Sequence, residues 1–292
     1  MWTLIEKLQS RAFAPRPLIR LEVIRIFAPL AILGFLSSRM LHAEDWLSTA
    51  GFRVPALPDD WRQPVSLPGI PVWAAWAVCA VLVIAGLSVA VGFATRWAAG
   101  LFALALAYVA LADRLAAFTV SKLAPVIALA LCLTPSGTSY SISSWLRRRR
   151  EPQWRPPAEV SGGCVLFFQV LLPVFYFSSG ICKATGDWLT DPYVLWSHIH
   201  DSYQTPVSWF VGNHLPKTAW TVLQAATLVF ECGAPLWFAL RYTRPYALYF
   251  GVAMHLMIGL MFGPVIWFSL LMIVLLVGGY MPVGWLRQAR GS

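Results

Sequence analysis

Charge is scarce in this chain. Asp, Glu, Lys and Arg make up 12% of its 292 residues, against about a quarter in a soluble globular domain. That deficit excludes an ordinary soluble fold. Several chemistry-bearing signatures are also absent. The chain has no G-x-S-x-G elbow, H-E-x-x-H helix, P-loop or G-x-G-x-x-G turn, so the matching hydrolase, metalloprotease and nucleotide-binding chemistries lose their usual starting point. Its five cysteines, Cys79, Cys132, Cys164, Cys182 and Cys232, form no C-x-x-C pair and lie in or beside apolar runs. They read as small apolar fillers and not as a disulfide framework. Internal repeats and low-complexity segments are lacking as well.

Apolar length is what the sequence has. Hydrophobic residues make up 58% of it and the mean hydropathy is +0.64. Runs long enough to cross a bilayer, about 17–25 residues each, recur along it. We read roughly eight: Leu21–Ser38, Ile70–Phe93, Trp97–Ala112, Leu115–Leu133, Cys164–Ile181, Ala219–Leu240, Tyr246–Phe262 and Val265–Met281. The expected fold is all-α, a polytopic transmembrane helical bundle forming one membrane domain over residues 1–292. The connections are too short for a separate soluble domain. Arg39–Pro68, among the longest, reads as an ordered interfacial loop. The basic N-terminal flank and first apolar run resemble a signal sequence, but no small-residue cleavage site follows Leu36, so a retained helix is expected. Trp2, Ile5 and Leu8 share one face of a short interfacial helix.

The net charge of +9 is distributed as topology. Fourteen basic residues, including Lys7, Arg11, Arg96, Arg147–Arg150, Arg241 and Arg287, fall on alternate connections, against Glu6, Glu151 and Glu159. The opposite connections carry seven basic residues against eight acidic ones. The positive-inside rule then places both termini in the cytoplasm of a cell (inner) membrane protein, with the Lys183 end facing outward. No nucleic-acid partner is expected; the partner of this charge is the lipid bilayer, and Arg147–Arg150 read as a stop signal at anionic headgroups.

Of the ionisable groups inside the apolar runs or at their ends, four matter most. Lys183 ends the fifth run with no basic neighbour, and a lone lysine there is costly to place. Kept from water, a lysine can act as a base; the plainer reading is a cation snorkelling to the interface. Gly180 and Gly186 bracket it and permit close approach of a backbone or ligand, and Asp187-Trp188 marks an interfacial exit. Glu231 and His255 lie 12 residues either side of the turn near Thr243, hence at similar depth, roughly 13–18 Å from the cytoplasmic end. They read as a functional pair or as polar groups locking two helices. Lys183 is expected on the order of 10 Å away from them, because it sits near an outer helix end. Arg25 has Glu22 three residues earlier, which suits an intrahelical pair or a contact to an anionic headgroup. His198-x-His200, with Asp201 adjacent and His214 downstream, would share a face on a strand but diverge on a helix, so no metal site is assigned.

Gly180-Ile-Cys-Lys183-Ala-Thr-Gly-Asp187-Trp188 resembles the motif around the catalytic lysine of vitamin K-dependent gamma-carboxylases, a motif shared by the wider HTTM (horizontally transferred transmembrane) domain proteins. Phe230-Glu231 and Met254-His255 resemble an acidic residue and a histidine in consecutive helices of that family, and Val23-Ile24-Arg25-Ile26 resembles its start. Two departures are visible. Ser141-Ile142-Ser143 stands where family members often carry Ser-x-Asp, and a histidine of the carboxylases has no counterpart near Thr138. The large lumenal domain of the animal enzymes is also without a counterpart, so a propeptide-bearing protein is not the expected substrate.

The resemblance implies a quinol-dependent oxidation. Lys183 would deprotonate a reduced vitamin K or menaquinol-type quinol, and oxygen would convert the quinol anion into a strong base for carbon-acid deprotonation or carboxylation of a small or peptide substrate. Lys183, His255 and Glu231 are then the expected catalytic residues. Phe175, Tyr176, Gly180, Trp188 and Arg25 are the expected cofactor-binding residues; for the aromatics, ordinary helix packing is the alternative. A non-enzymatic membrane scaffold for lipid or peptide binding, immunity or a redox-complex partner is the second functional reading. A transporter, with only Asp113-Arg114 and Lys122 in its favour, is the third.

Overall fold

A computed structural model describes residues 2–52, 67–112, 118–200, 204–282 and 284. Among these are thirteen α-helices: α1 (Trp2–Ala12), α2 (Ile19–Met40), α3 (Ala43–Leu47), α4 (Val72–Val91), α5 (Thr95–Ala112), α6 (Thr119–Leu133), α7 (Ile142–Arg150), α8 (Gly162–Ala184), α9 (Val194–His198), α10 (Pro206–His214), α11 (Lys217–Ala239), α12 (Arg244–Met261) and α13 (Ile266–Tyr280). The all-α expectation holds. The count of eight spans is not carried. Among the described residues, five stretches are long and apolar enough to cross a membrane: α4, α5, α8, α11 and Gly263–Tyr280. The expected fourth span is the shorter apolar helix α6. The first and seventh are the helices α2 and α12, which fall outside that set. Arg53, Asp113, Arg114, Asp201, Arg287 and Arg290 lie outside the described residues, as do the side chains of Trp2, Ile5 and Leu8.

Contacts divide the chain into two compact units. One comprises Met1–Arg16 with Ser161–Ser292, the other Pro17–Val160.

In the second unit, helix ends and a buried ion pair fix each other. The apolar α4 stops at Gly92, whose φ of 74° is left-handed. The Gly92 and Phe93 amides close the last turn on Val89 and Ser88 carbonyls, the ordinary glycine exit from a helix. A Cβ at Gly92 would lie 2.2 Å from the Ser141 Cβ and 2.8 Å from an Arg25 nitrogen. Glycine is therefore required twice, by dihedral and by space. Ser141 begins α7 with a capping box, accepting from the Ser144 amide, so this serine serves the backbone.

Arg25 is fully buried. It donates from Nε to Glu22 at 2.8 Å, from one terminal nitrogen to the Val89 and Ala90 carbonyls at 3.0 and 2.7 Å, and from the other to the Tyr140 carbonyl at 2.7 Å. The second Glu22 oxygen accepts from the Ser139 amide and hydroxyl. One i,i+3 pair on α2 thus answers the open carbonyls at the end of α4 and holds Tyr140 at a φ of 45°, a conformation costing about 1–2 kcal/mol for a non-glycine residue.

Removing one partner leaves the other charge buried. Arg25→Leu is expected to destabilise the protein by roughly 3–5 kcal/mol, read as an earlier unfolding midpoint in a denaturant titration of the detergent-solubilised chain.

Candidate functional site

The first unit brings Lys183 and Glu231 into direct contact. Lys183 sits in the last turn of α8 and Glu231 near the middle of α11. The Lys183 Nζ donates to Oε1 and Oε2 of Glu231 at 2.7 and 2.5 Å, and to Ser179 Oγ at 2.8 Å. It also stands 5.2 Å from the centre of the Trp188 ring. The lysine side chain is 24% exposed and the glutamate 8%. The expected separation of about 10 Å is therefore wrong.

Two local features close it. At Gly180, α8 meets α11 with no room for a side chain, since a Cβ there would lie 2.7 Å from the Cys232 amide nitrogen. The close approach expected of this glycine is to a backbone. Secondly, the carboxyl end of α8 does not stand beside the start of α11. The 3₁₀ turn Asp187–Leu189 and α9 continue past it and pack along the first half of α11. Gln224 fastens them: its amide nitrogen donates to the Trp188 and Asp191 carbonyls, and its oxygen accepts from the Leu195 amide. Thr221 adds a bond to the Pro192 carbonyl. A helix terminus is thereby brought level with a mid-helix glutamate. Gln224 was not among the expected site residues. Its signal was available, as a buried amide in an apolar helix seven residues, or two turns, before Glu231.

His255 takes a different partner. Its Nε2 lies 2.7 Å from the Tyr176 hydroxyl, and its buried Nδ1 has no hydrogen-bond partner among the described residues. Tyr176 packs edge-on against Phe230 at 5.1 Å and parallel to Phe238 at 6.3 Å. Glu231 and His255 thus form no bond with each other among the described residues; one answers Lys183, the other Tyr176.

A cavity of about 410 Å³ opens beside the Lys183–Glu231 contact. Besides these two groups, Trp188, Leu223 and Thr227 line it, and a row from α12, Met254, Met257 and Met261, forms another wall. Of the residues expected to bind a cofactor, Trp188 lies on this wall. Phe175, Tyr176 and Gly180 are not among its lining residues; Tyr176 packs on aromatic rings and Gly180 on the α11 backbone. Arg25 belongs to the other unit, where Glu22 and backbone carbonyls engage its donors. The methionine row was missed, because at helical spacing it is indistinguishable from ordinary core.

The loop histidines turn to their own backbones: the Nδ1 atoms of His198, His200 and His214 bond the carbonyls of Val194, Trp196 and Phe210. Among the described residues no group of three His, Cys, Asp or Glu side chains could hold a metal ion. The five cysteines are free thiols.

The family model of the HTTM domain matches residues 13–285, nearly the whole chain. The protein belongs to the HTTM domain family. It is a membrane protein related to the membrane domain of the vitamin K-dependent gamma-carboxylases. No curated protein and no solved structure matches it.

Two variants test the construction of this site. Gly180→Ala gains up to about 1 kcal/mol of helix propensity but meets a backbone nitrogen that cannot yield, so a lower thermal midpoint is expected. Lys183→Ala strands a nearly buried carboxylate. In a double-mutant cycle with Glu231→Ala, the double variant is expected to be more stable than the sum of the single losses by roughly 1–3 kcal/mol, as measured by chemical unfolding.

Proposed function

We propose that the Lys183–Glu231 pair is a proton acceptor serving an apolar ligand with a weakly acidic hydroxyl, a reduced vitamin K or menaquinol-type quinol. The observation that carries this reading is an amine and a carboxyl group in contact on the wall of an otherwise apolar cavity.

Proton counting shows what such a pair can do. Together the two groups are net neutral and have one empty proton site. As an ion pair the empty site is on Glu231; as an amine beside a carboxylic acid it is on Lys183. Either way, taking a proton from a ligand hydroxyl ends in one state, with a Lys183 ammonium, a protonated Glu231 and a ligand oxyanion. The ammonium then faces the oxyanion, an attraction strongest where water is excluded. Ser179 and the Trp188 ring hold the Lys183 head in place from the side of its own helix. The quinol, with oxygen, supplies the oxidation chemistry that yields a strong base for a carbon acid or for carboxylation.

Tyr176 and His255 support the pair from behind. Their mutual bond leaves the aromatic cluster of Tyr176, Phe230 and Phe238 with one orientation, and Phe230 immediately precedes Glu231. His255 is therefore read here as a residue that positions Glu231. The concentration of basic residues on alternate connections supports cytoplasmic termini and an outward-facing Lys183 end.

The test is aerobic oxidation of reduced vitamin K or menaquinol by the purified chain, with the epoxide detected by mass spectrometry. Wild type is expected to form epoxide, with Lys183→Ala and Glu231→Gln lowered at least a hundredfold, the usual worth of a general base. Folded wild-type protein that forms none from several quinols would transfer the reading to a non-enzymatic scaffold.

A further inference from the structure

Two cavities in the second unit share a wall. One, of about 510 Å³, is polar at its rim, with Thr95, Arg96, Thr134, Thr138 and Ser143 on it. The other, of about 860 Å³, is an apolar groove between α5 and α6, running past Gly100, Leu104 and Ala107 on one side and Pro125 and Leu129 on the other. Arg96, Trp97 and Cys132 line both. From Arg96 to Ala107 the groove is about 16 Å long at the helical rise.

The polar end is built for an anion. Arg96 is exposed and has no ion-pair partner among the described residues. It lies at the amino end of the 18-residue α5, where the helix dipole favours negative charge. The groove end is built for a hydrocarbon chain. Leu104 and Leu129 are exposed on it. Gly100 and Ala107 leave its floor open, and Trp97 stands at the junction, 82% exposed, where an indole between apolar and polar surroundings is at home.

We propose that this is a site for one anionic phospholipid, its phosphate at Arg96 and one acyl chain along the α5–α6 groove. The continuity of the two cavities distinguishes a lipid from a free phosphate, which would need the polar part alone. Negative charge is what Arg96 selects; a zwitterionic lipid brings its own cation to the same place. The site involves no residue of the Lys183–Glu231 pocket and stands independently of the function proposed for it.

Native mass spectrometry of the full chain in detergent tests the assignment, with phosphatidylglycerol and phosphatidylcholine of identical chains as probes and glycerol 3-phosphate as the headgroup alone. Wild type is expected to bind one phosphatidylglycerol about fivefold more tightly than phosphatidylcholine, as one basic residue at a lipid surface provides. Arg96→Gln, an exposed substitution that leaves the fold alone, is expected to abolish that preference. Ala107→Phe, which fills the groove, is expected to weaken both lipids. Equal binding of the two lipids by wild type, or a preference surviving Arg96→Gln, overturns the proposal. So does full affinity for both lipids in Ala107→Phe, or competition by glycerol 3-phosphate at the lipid's own concentration.

Discussion

A charge that cannot reach water must be answered where it stands, and this constraint organises both units of the protein. Hydrocarbon offers no hydrogen bonds, so each ionisable group on these helices has to find its counterpart in the chain. Arg25 finds Glu22 and three backbone carbonyls. Lys183 finds Glu231 and Ser179. The two solutions differ in their openness. The arginine is sealed and its donors are engaged, which makes it an anchor for helix ends. The lysine keeps part of its side chain on a cavity. The same chemistry of cation and carboxylate thus yields a structural joint in one unit and a candidate reactive centre in the other.

The second solution depends on how a helix is allowed to finish. Had α8 ended at the level where α11 begins, Lys183 would be an interfacial cation with only water to face. The segment after α8 instead folds along the first half of α11, held by Gln224, and carries Trp188 to the wall of the cavity. Ordinary devices set the depth of the site: a glycine where two backbones meet, and one buried amide with three backbone partners.

Much of this was legible in the sequence. Period and length gave the helices, because an apolar run must satisfy its own backbone. Glu22 and Arg25, Lys183, and the pairing of depth for Glu231 and His255 were visible because polar groups are conspicuous against an apolar background. The count of eight spans was not confirmed, because an apolar run and a spanning helix are not the same object: α6 has 15 residues and α12 begins at Arg244. The distance from Lys183 to Glu231 was misjudged because a helix end was equated with a membrane boundary. The cavity wall was legible only in part: Trp188 beside the lysine motif lies on it, while the α12 methionines that line it carry no distinguishing chemistry in the sequence. Sequence shows which groups are expensive; only the fold shows which of their neighbours are hollow.

The spacing of the two ion pairs along the chain also bears on how the protein enters its membrane. Glu22 and Arg25 are three residues apart, so their bond needs no more than one turn of nascent helix. The Glu22–Arg25 pair is therefore able to leave water with its two charges already matched before α4 or Tyr140 has been synthesised, and the later carbonyls complete the site. Lys183 and Glu231 are separated by 48 residues. When α8 emerges, Glu231 has not been synthesised, so this contact forms only once α11 follows. The order of synthesis thus makes the first pair local to one helix and the second dependent on a later one.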